Sequence, residues 1–344
     1  MLSKRILNIG PLYSKNNQTG GIVVLFENWV QFCKNQDKKS IIIDSNKNNY
    51  SSRLIAFLCI IIKAVRFVIQ SDIVMLHGTI NDYQWIAPII VYWAHLRNKK
   101  IVLRKFAGNF YEYYIQQTGM RKQLLHYVLS KSDILYWETH KLVSSFKDEY
   151  PMIPNLWFPN SRIRQCKSRI INKPYTRNFV FLSRVEKEKG IDYLISAFHQ
   201  MGEKYSLDIY GPLIGYTQDQ LNHNNCHYRG VIPSESVNEV ISAYDALILP
   251  TYWNTEGYPG IIMECYNAGI PVLASRVGGI PELIEDGKNG FLIEPQSVNA
   301  IIEGIARLEA SNYSDLCINA LKSFDQYDSI QVNQRVLKEI QKDK

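Results

Sequence analysis

Short, unbroken apolar runs alternate along the chain with longer stretches in which apolar residues recur every three or four positions. The runs predict strands at Arg5–Ile9, Ser40–Asp44, Ile73–Leu76, Ile101–Leu103, Asp133–Trp137 and Ile153–Leu156, and then at Phe179–Leu182, Leu207–Tyr210, Tyr228–Val231, Ala246–Leu249, Pro271–Ala274 and Phe291–Ile293. Between them the helical spacing predicts Ile22–Lys34, Trp85–Arg97, Glu112–Ser130, a helix from Ile191 carrying Leu194, Ile195 and Phe198, one near Ser234–Tyr244 and one that Pro259 opens and that runs to about Ala268. From Val298 onward the pattern is helical and ends in Ser329–Gln341. Strand and helix in alternation, with glycine-rich turns, is the pattern of a parallel α/β sheet. The rhythm runs twice. The polar, basic stretch between the two rounds predicts an N-terminal Rossmann-like domain over 1–165, a linker at 166–177 and a second such domain over 178–324. The last helix, 325–344, is expected to cross back to the first domain.

One run fits less simply. Leu54–Ile62 is apolar for nine residues, too few to span a bilayer, and Lys63 and Arg66 interrupt the apolar residues after it. A helix buried on the sheet is the first reading, and a membrane-surface helix with a basic edge the alternative.

The most informative stretch is Asp245–Ile293. Here a strand stopped by Pro250 leads through TYWNTEGY to the helix at Pro259, and Glu256 and Glu264 stand eight apart around Gly257, Pro259 and Gly260. Helix starts offer free N–H groups and partial positive charge to phosphate, and carboxylates on either side can accept hydrogen bonds from hydroxyls. Upstream, Arg184 and Lys189 lie in the loop before another helix, five apart, as two cations able to clamp a diphosphate. Gly20-Gly21 precede the first helix, where a missing side chain lets a ligand approach the backbone. His77 closes one strand, and Arg104 and Lys105 close another, where they could meet phosphate or a polar acceptor.

Charge adds an asymmetry. Residues 1–173 hold 25 Lys and Arg against 10 Asp and Glu, a balance of +15, while the remainder carries −8. A basic half suits an anionic partner, either nucleic acid or the anionic face of a membrane. The six cysteines form no C-x-x-C pair or His–Cys cluster, which fits a reducing compartment without a disulfide framework or zinc site. No apolar leader follows Lys4-Arg5, so no signal peptide is expected.

FLSRVEKEKGIDYLISAF, LDIYGP, YRGVIP and the stretch from ALILP to GFLI occur in the order found in the retaining glycosyltransferases of family 4, over about residues 178–300, and the second half resembles that family. The resemblance implies a GT-B fold, with two Rossmann-like parallel-sheet domains facing across a cleft. It implies an enzyme that moves a sugar, with retention, from a nucleoside-diphosphate sugar to a glycan or lipid-linked acceptor in bacterial cell-surface polysaccharide synthesis. By the same resemblance Arg184 and Lys189 neutralise the donor diphosphate, Glu264 binds the ribose hydroxyls and Glu256 contacts the transferred sugar. Tyr228, Gly230 and Val231 border the base; Gly257, Tyr258, Gly260 and Ile261 complete the donor site, and Gly20-Gly21 stand at the family's glycine loop. Many members carry a His where this chain has Phe106 and Ala107, which leaves His77 as the nearest candidate for that catalytic role. Asp82, Asp133 and Asp245 are isolated, with no D-x-D-like pair, so metal-independent transfer without a cofactor is expected. The expected partners are the donor, the acceptor and an anionic membrane, without nucleic acid, and the expected place is the cytoplasm, at the inner face of the cell membrane. A non-catalytic GT-B partner subunit and a sugar-nucleotide epimerase are the competing readings.

Overall fold

The structure is a computed structural model that describes residues 4–14, 21–36, 39–106, 108–165 and 174–343. The chain forms two compact units, Met1–Asn160 with Ser329–Lys344, and Ser161–Asp328. Each is built on a six-stranded, wholly parallel sheet.

The first sheet contains β1 (Ile6–Gly10), β2 (Ser40–Asp44), β3 (Ile73–Gly78), β4 (Lys100–Lys105), β5 (Ile134–Trp137) and β6 (Asn155–Trp157), in the order β2-β1-β3-β4-β5-β6. Side chains on a strand alternate between faces, and here both faces are apolar. Leu7, Ile9, Val74, Leu76, Ile101, Leu103 and Leu135 pack with Ala56, Ile60, Ala64 and Val68 of helix Arg53–Val68. Ile6, Ile73, Met75, Val102 and Ile134 pack on the other face with Phe26, Trp29 and Val30 of helix Gly21–Asn35 and with Val332, Val336, Leu337 and Ile340 of helix Ser329–Gln341. The last helix of the chain is therefore a core element of the first unit.

The second sheet contains β7 (Asn178–Leu182), β8 (Ser206–Tyr210), β9 (Cys226–Gly230), β10 (Ala246–Leu249), β11 (Val272–Ser275) and β12 (Gly290–Ile293), in the order β12-β11-β10-β7-β8-β9. The chain moves outward from β7 to β9 and then returns to the other side of β7, so the order reverses between β7 and β10. In open α/β sheets such a switch point leaves a crevice at the carboxyl ends of the two strands.

Several expected elements differ. The single helix expected over Trp85–Arg97 is two, Ile80–Trp85 and Ala87–Leu96. A capping box of Thr79 with Asp82 starts the first early, and Pro88, which has no N–H to donate, opens the second. Glu112–Ser130 likewise divides into Phe110–Gln116 and Gly119–Ser130, with extended backbone at Gln117 and Thr118. Ser234–Tyr244 is a 3-10 turn, Ser234–Ser236, followed by helix Val237–Ile241. Pro259 is the cap of helix Gly260–Asn267 and not its first residue, its ψ of 118° being non-helical. Helix Arg53–Val68 buries one stripe only, because Leu54, Ile55, Leu58 and Ile62 stay exposed. The expected linker at 166–177 falls largely outside the described residues. Of the segment before it, Ser161–Gln165 lies on the second unit: the Arg162 N–H donates to the Tyr327 carbonyl, and Asn267 bonds both Ile163 and Gln165.

Candidate active site

The loops after β7 and β10 flank the switch point of the second sheet, and they are tied to each other. The Glu188 carbonyl accepts from the Tyr252 N–H at 2.9 Å and from Thr251 Oγ1 at 3.1 Å. This brings Lys189, on the first loop, to Glu256, on the second, with Nζ 2.5 Å from Oε2. Lys189 is buried and Glu256 nearly so, which makes the pair strong only because each charge compensates the other. Lys189 is thus not a solvent-facing cation. Arg184 is: its side chain is 52% exposed, pairs with Glu186 at 2.9 Å, and lies 5.9 Å from the Trp253 ring.

Glu264 sits on the second turn of helix Gly260–Asn267 and pairs with a residue that the sequence did not single out. Arg162 Nε is 2.6 Å from Glu264 Oε1, with both side chains mostly buried. Nothing local links two residues 102 positions apart; the one sequence signal was a pair of arginines, 162 and 164, in a segment read as leading into a linker. Arg164 is anchored on Asp328 and Asp325. The two glutamates therefore present the same arrangement. One oxygen of each is held by a cation, and the other, Oε1 of Glu256 or Oε2 of Glu264, has no hydrogen-bond partner among the described residues.

The remaining expected donor residues divide. Gly278-Gly279, after β11, back the Glu256–Gly257 turn: the Gly279 N–H donates to the Glu256 carbonyl at 2.9 Å, and Gly278 has a φ of +54° where a Cβ would enter that same carbonyl. Gly257 is half-buried, as are Gly260 and Ile261. Tyr258 is buried with its hydroxyl donating to Glu282 at 2.5 Å, so it braces the loop and does not face outward. At the end of β9, Tyr228 donates its hydroxyl to the Gly211 carbonyl at 2.8 Å, Gly230 is half-buried with positive φ, and Val231 is exposed. Among the described residues no group of three or more His, Cys, Asp or Glu side chains is placed to hold a metal ion.

In the first unit, Gly20 lies outside the described residues. Gly21 begins its helix exposed, and a Cβ there would meet nothing within 4 Å. His77 is fully buried, between Phe26, Trp29 and Phe106, with ring centroids 4.9, 6.0 and 6.3 Å away. Neither ring nitrogen has a hydrogen-bond partner among the described residues, and burial, reinforced by Arg104, holds its pKa well below the ordinary histidine value. That setting keeps a neutral ring packed in the core and offers a substrate no approach, which removes the structural basis for a catalytic His77. Arg104 and Lys105 are buried too, against the expectation that they face a ligand. Arg104 stacks on Phe158 at 3.4 Å and Phe106 at 4.8 Å, and Lys105 lies 4.9 Å from the Phe110 ring and donates to the Phe106 carbonyl. Burial lowers Arg104 to about 9 and Lys105 to about 7, with Glu138 pulling both upward.

Residues 166–326 match the model of the family described as glycosyl transferases group 1. An uncharacterized 41.2 kDa protein in the cps region of Klebsiella pneumoniae is 28% identical over 143 residues, 41% of this chain and 39% of that protein. TuaC of Bacillus subtilis strain 168, a glycosyltransferase assigned to teichuronic acid biosynthesis, is 29% identical over 130 residues, 38% of this chain and 32% of TuaC. The chain thus spans well under half the length of these relatives. Over whole chains the similarity is one of fold. HepE of Anabaena, solved with UDP, superposes with a TM-score of 0.73 at 14% identity, covering 98% of this chain and 99% of HepE. The sucrose-phosphate synthase of Thermosynechococcus elongatus superposes at 0.70 and 15%, covering 98% of each chain. The two parallel sheets are those of the GT-B fold, and the second of them lies within the stretch that matches the glycosyl transferases group 1 family.

Proposed function

We propose that this protein is a metal-independent, retaining glycosyltransferase of family 4, moving a sugar from a nucleoside-diphosphate donor to a glycan or lipid-linked acceptor in bacterial surface-polysaccharide synthesis. The observation that carries this reading is the pair of glutamates at the switch point, each pinned through one oxygen and open at the other. Free carboxylate oxygens beside a helix start suit a ligand that has both hydroxyls and phosphates. In this reading Glu264 accepts from the ribose and Glu256 from the sugar. The anomeric bond to the diphosphate breaks while the acceptor oxygen bonds to the same face of that carbon, and the acceptor's hydroxyl proton passes to the departing phosphate oxygen. Arg184, the Lys189 ammonium and the N-terminus of helix Gly260–Asn267 stabilise the charge left on the diphosphate. A related fold solved with UDP-glucose, HepE, and a relative in a cps region support the choice of donor and product classes. The test is a binding and turnover screen of UDP-, GDP- and ADP-sugars, with and without EDTA. Acceptor-dependent transfer that survives EDTA is expected. Donor epimerised without an acceptor, donor bound without turnover, or activity abolished by EDTA and restored by Mg²⁺ would each reject part of the proposal.

A second observation favours a membrane partner for the first unit. Helix Arg53–Val68 presents Leu54, Leu58 and Ile62 to solvent beside Arg53, Lys63 and Arg66, and Trp85, Tyr92 and Leu96 are exposed on and beside helix Ala87–Leu96, which packs against it. No acidic residue occurs between Ser45 and Ser71. Exposed apolar side chains on a helix that also carries exposed cations suit the interface of an anionic leaflet, where each basic residue contributes on the order of 1 kcal/mol. No helix among the described residues is long and apolar enough to cross a membrane. The protein is expected to bind anionic vesicles, to lose only part of that binding as salt rises, and to lose the rest in Leu58→Glu/Ile62→Glu. Equal partitioning to neutral lipid, or none at low salt, would rule it out.

A further inference from the structure

The geometry points to Arg162 as the residue that positions Glu264, and to Gly260 as the residue that makes room for it; the proposal rests on the donor reading above. Arg162 is fixed at its root, where its N–H donates to the Tyr327 carbonyl at 3.0 Å, and at its guanidinium, where Nη1 donates to the Ser161 carbonyl at 3.1 Å. From there its guanidinium crosses the start of helix Gly260–Asn267 and presents Nε to Glu264 Oε1 at 2.6 Å. A Cβ on Gly260 would fall inside that guanidinium, 2.9 Å from Cζ and closer still to Nη2. The φ of Gly260 is not among the left-handed ones, so no backbone strain demands glycine here. What demands it is the arginine.

The consequence is orientational. A carboxylate on a helix turns freely about its last bond unless one oxygen is fixed. The planar guanidinium fixes it, because its N–H directions are rigid where those of an ammonium are not. With Oε1 held, Oε2 is left as the acceptor for the ligand hydroxyl. Lys189 serves Glu256 in the same way from the neighbouring loop, but as a point charge.

The discriminating measurement is the ratio of affinities for a nucleoside diphosphate and its 2′,3′-dideoxy counterpart, taken on the full chain with UDP, GDP and ADP as probes. The wild type should prefer the ribose form by about tenfold or more, the scale of a hydrogen bond to a charged group. Glu264→Ala should lose that preference. Arg162→Met should reduce it nearly as far, with affinity for the dideoxy form little changed. Gly260→Ala keeps both charges and moves only the guanidinium, which is the far end of a flexible side chain and can yield without unfolding the helix. It should reproduce Arg162→Met, and the double variant should be no worse than either alone, because both remove one interaction. Thermal melts identify any variant that fails to fold. If Glu264→Ala abolishes the preference while folded Arg162→Met and Gly260→Ala retain it, Arg162 does not position the carboxylate. If the wild type binds a diphosphate without distinguishing its dideoxy form, Glu264 does not face the ribose, and both this inference and its role in the donor site are overturned. Binding of none of the three nucleotides would overturn the donor reading itself.

Discussion

At the carboxyl edge of the first sheet, His77, Arg104 and Lys105 lie under Phe26, Trp29, Phe106, Phe110 and Phe158; at that of the second, Lys189 pairs with Glu256 and Arg162 with Glu264, and among the described residues no aromatic ring lies over either cation. Both edges follow parallel strands, and both carry charge where a ligand is expected. What separates them is what covers the charge. Aromatic faces accept cations and exclude water, so they make a closed, structural polar layer. Carboxylates matched one to one with cations leave one oxygen over, and that oxygen can serve a ligand. Position at a strand end is therefore a weak guide to function until the covering layer is known.

The largest effect that tests this contrast is expected at the second edge. Lys189→Ala should lower kcat/KM by roughly 10²–10³, the scale of losing one preorganised stabiliser. It should also lower stability by on the order of 3 kcal/mol, because Glu256 loses its partner in a mostly buried setting. Arg184→Ala should show a similar loss of activity with a smaller fall in melting temperature, because its half-exposed guanidinium is screened by solvent although Glu186, its partner, is buried. Equal melting temperatures for the two variants would dissolve the distinction between a buried and an open cation.

Glycines give the next comparison. Gly278→Ala meets backbone, the Glu256 carbonyl, at a positive φ, and should destabilise the second unit by a few kcal/mol while displacing Glu256. Gly21→Ala meets nothing and removes a helical glycine, so it should stabilise by about 0.5–1 kcal/mol in denaturant melts. Should Gly21→Ala also weaken donor binding, the open space over that helix start would be shown to receive the ligand.

A smaller effect is expected from the closed edge, and it is visible in pH. Lys105 has a folded pKa of about 7 against about 10.4 unfolded. Between these values the unfolded chain binds more protons, so stability rises with pH across that window and the penalty is fully present below it. Lys105→Met should flatten that rise in unfolding free energies measured from pH 7 to 10. The smallest change is expected from His77→Leu. Turnover should be nearly that of the wild type. The loss of stability in acid should lessen, because a depressed histidine pKa means that the unfolded state takes up the extra proton as pH falls through about 6.5. A large fall in kcat with unchanged folding would restore His77 to the catalytic centre.

Most of the strands were legible because they are short apolar runs between turn residues, whereas β9, with His227 and Arg229 in it, is not such a run. Helix boundaries were less so: the breaks at Ile86 and at Gln117-Thr118 depend on a capping box and on extended backbone that periodicity does not report. Glu256, Glu264, Lys189 and Arg184 could be picked out because their spacing around Gly and Pro is local. Their partners could not. Arg162 reaches Glu264 across 102 residues, and the burial of Lys189, Arg104 and Lys105 depends on rings and loops remote in sequence. For the same reason Tyr258 read as a donor contact, whereas Glu282 claims its hydroxyl.

Helix Ser329–Gln341 fills one face of the first sheet, yet it is encoded after the whole of the second unit. During synthesis the whole of the second unit emerges before Val332–Ile340, so until that helix leaves the ribosome the face of the first sheet that holds Ile6 and Ile73 has only helix Gly21–Asn35 of its two covering helices. The second unit can therefore complete its core before the first receives its last core helix. Loss of the last turns would expose a vacant apolar trough on the first unit and leave the second intact, so premature termination late in the message would yield a half-folded chain in which only the second sheet keeps its full cover.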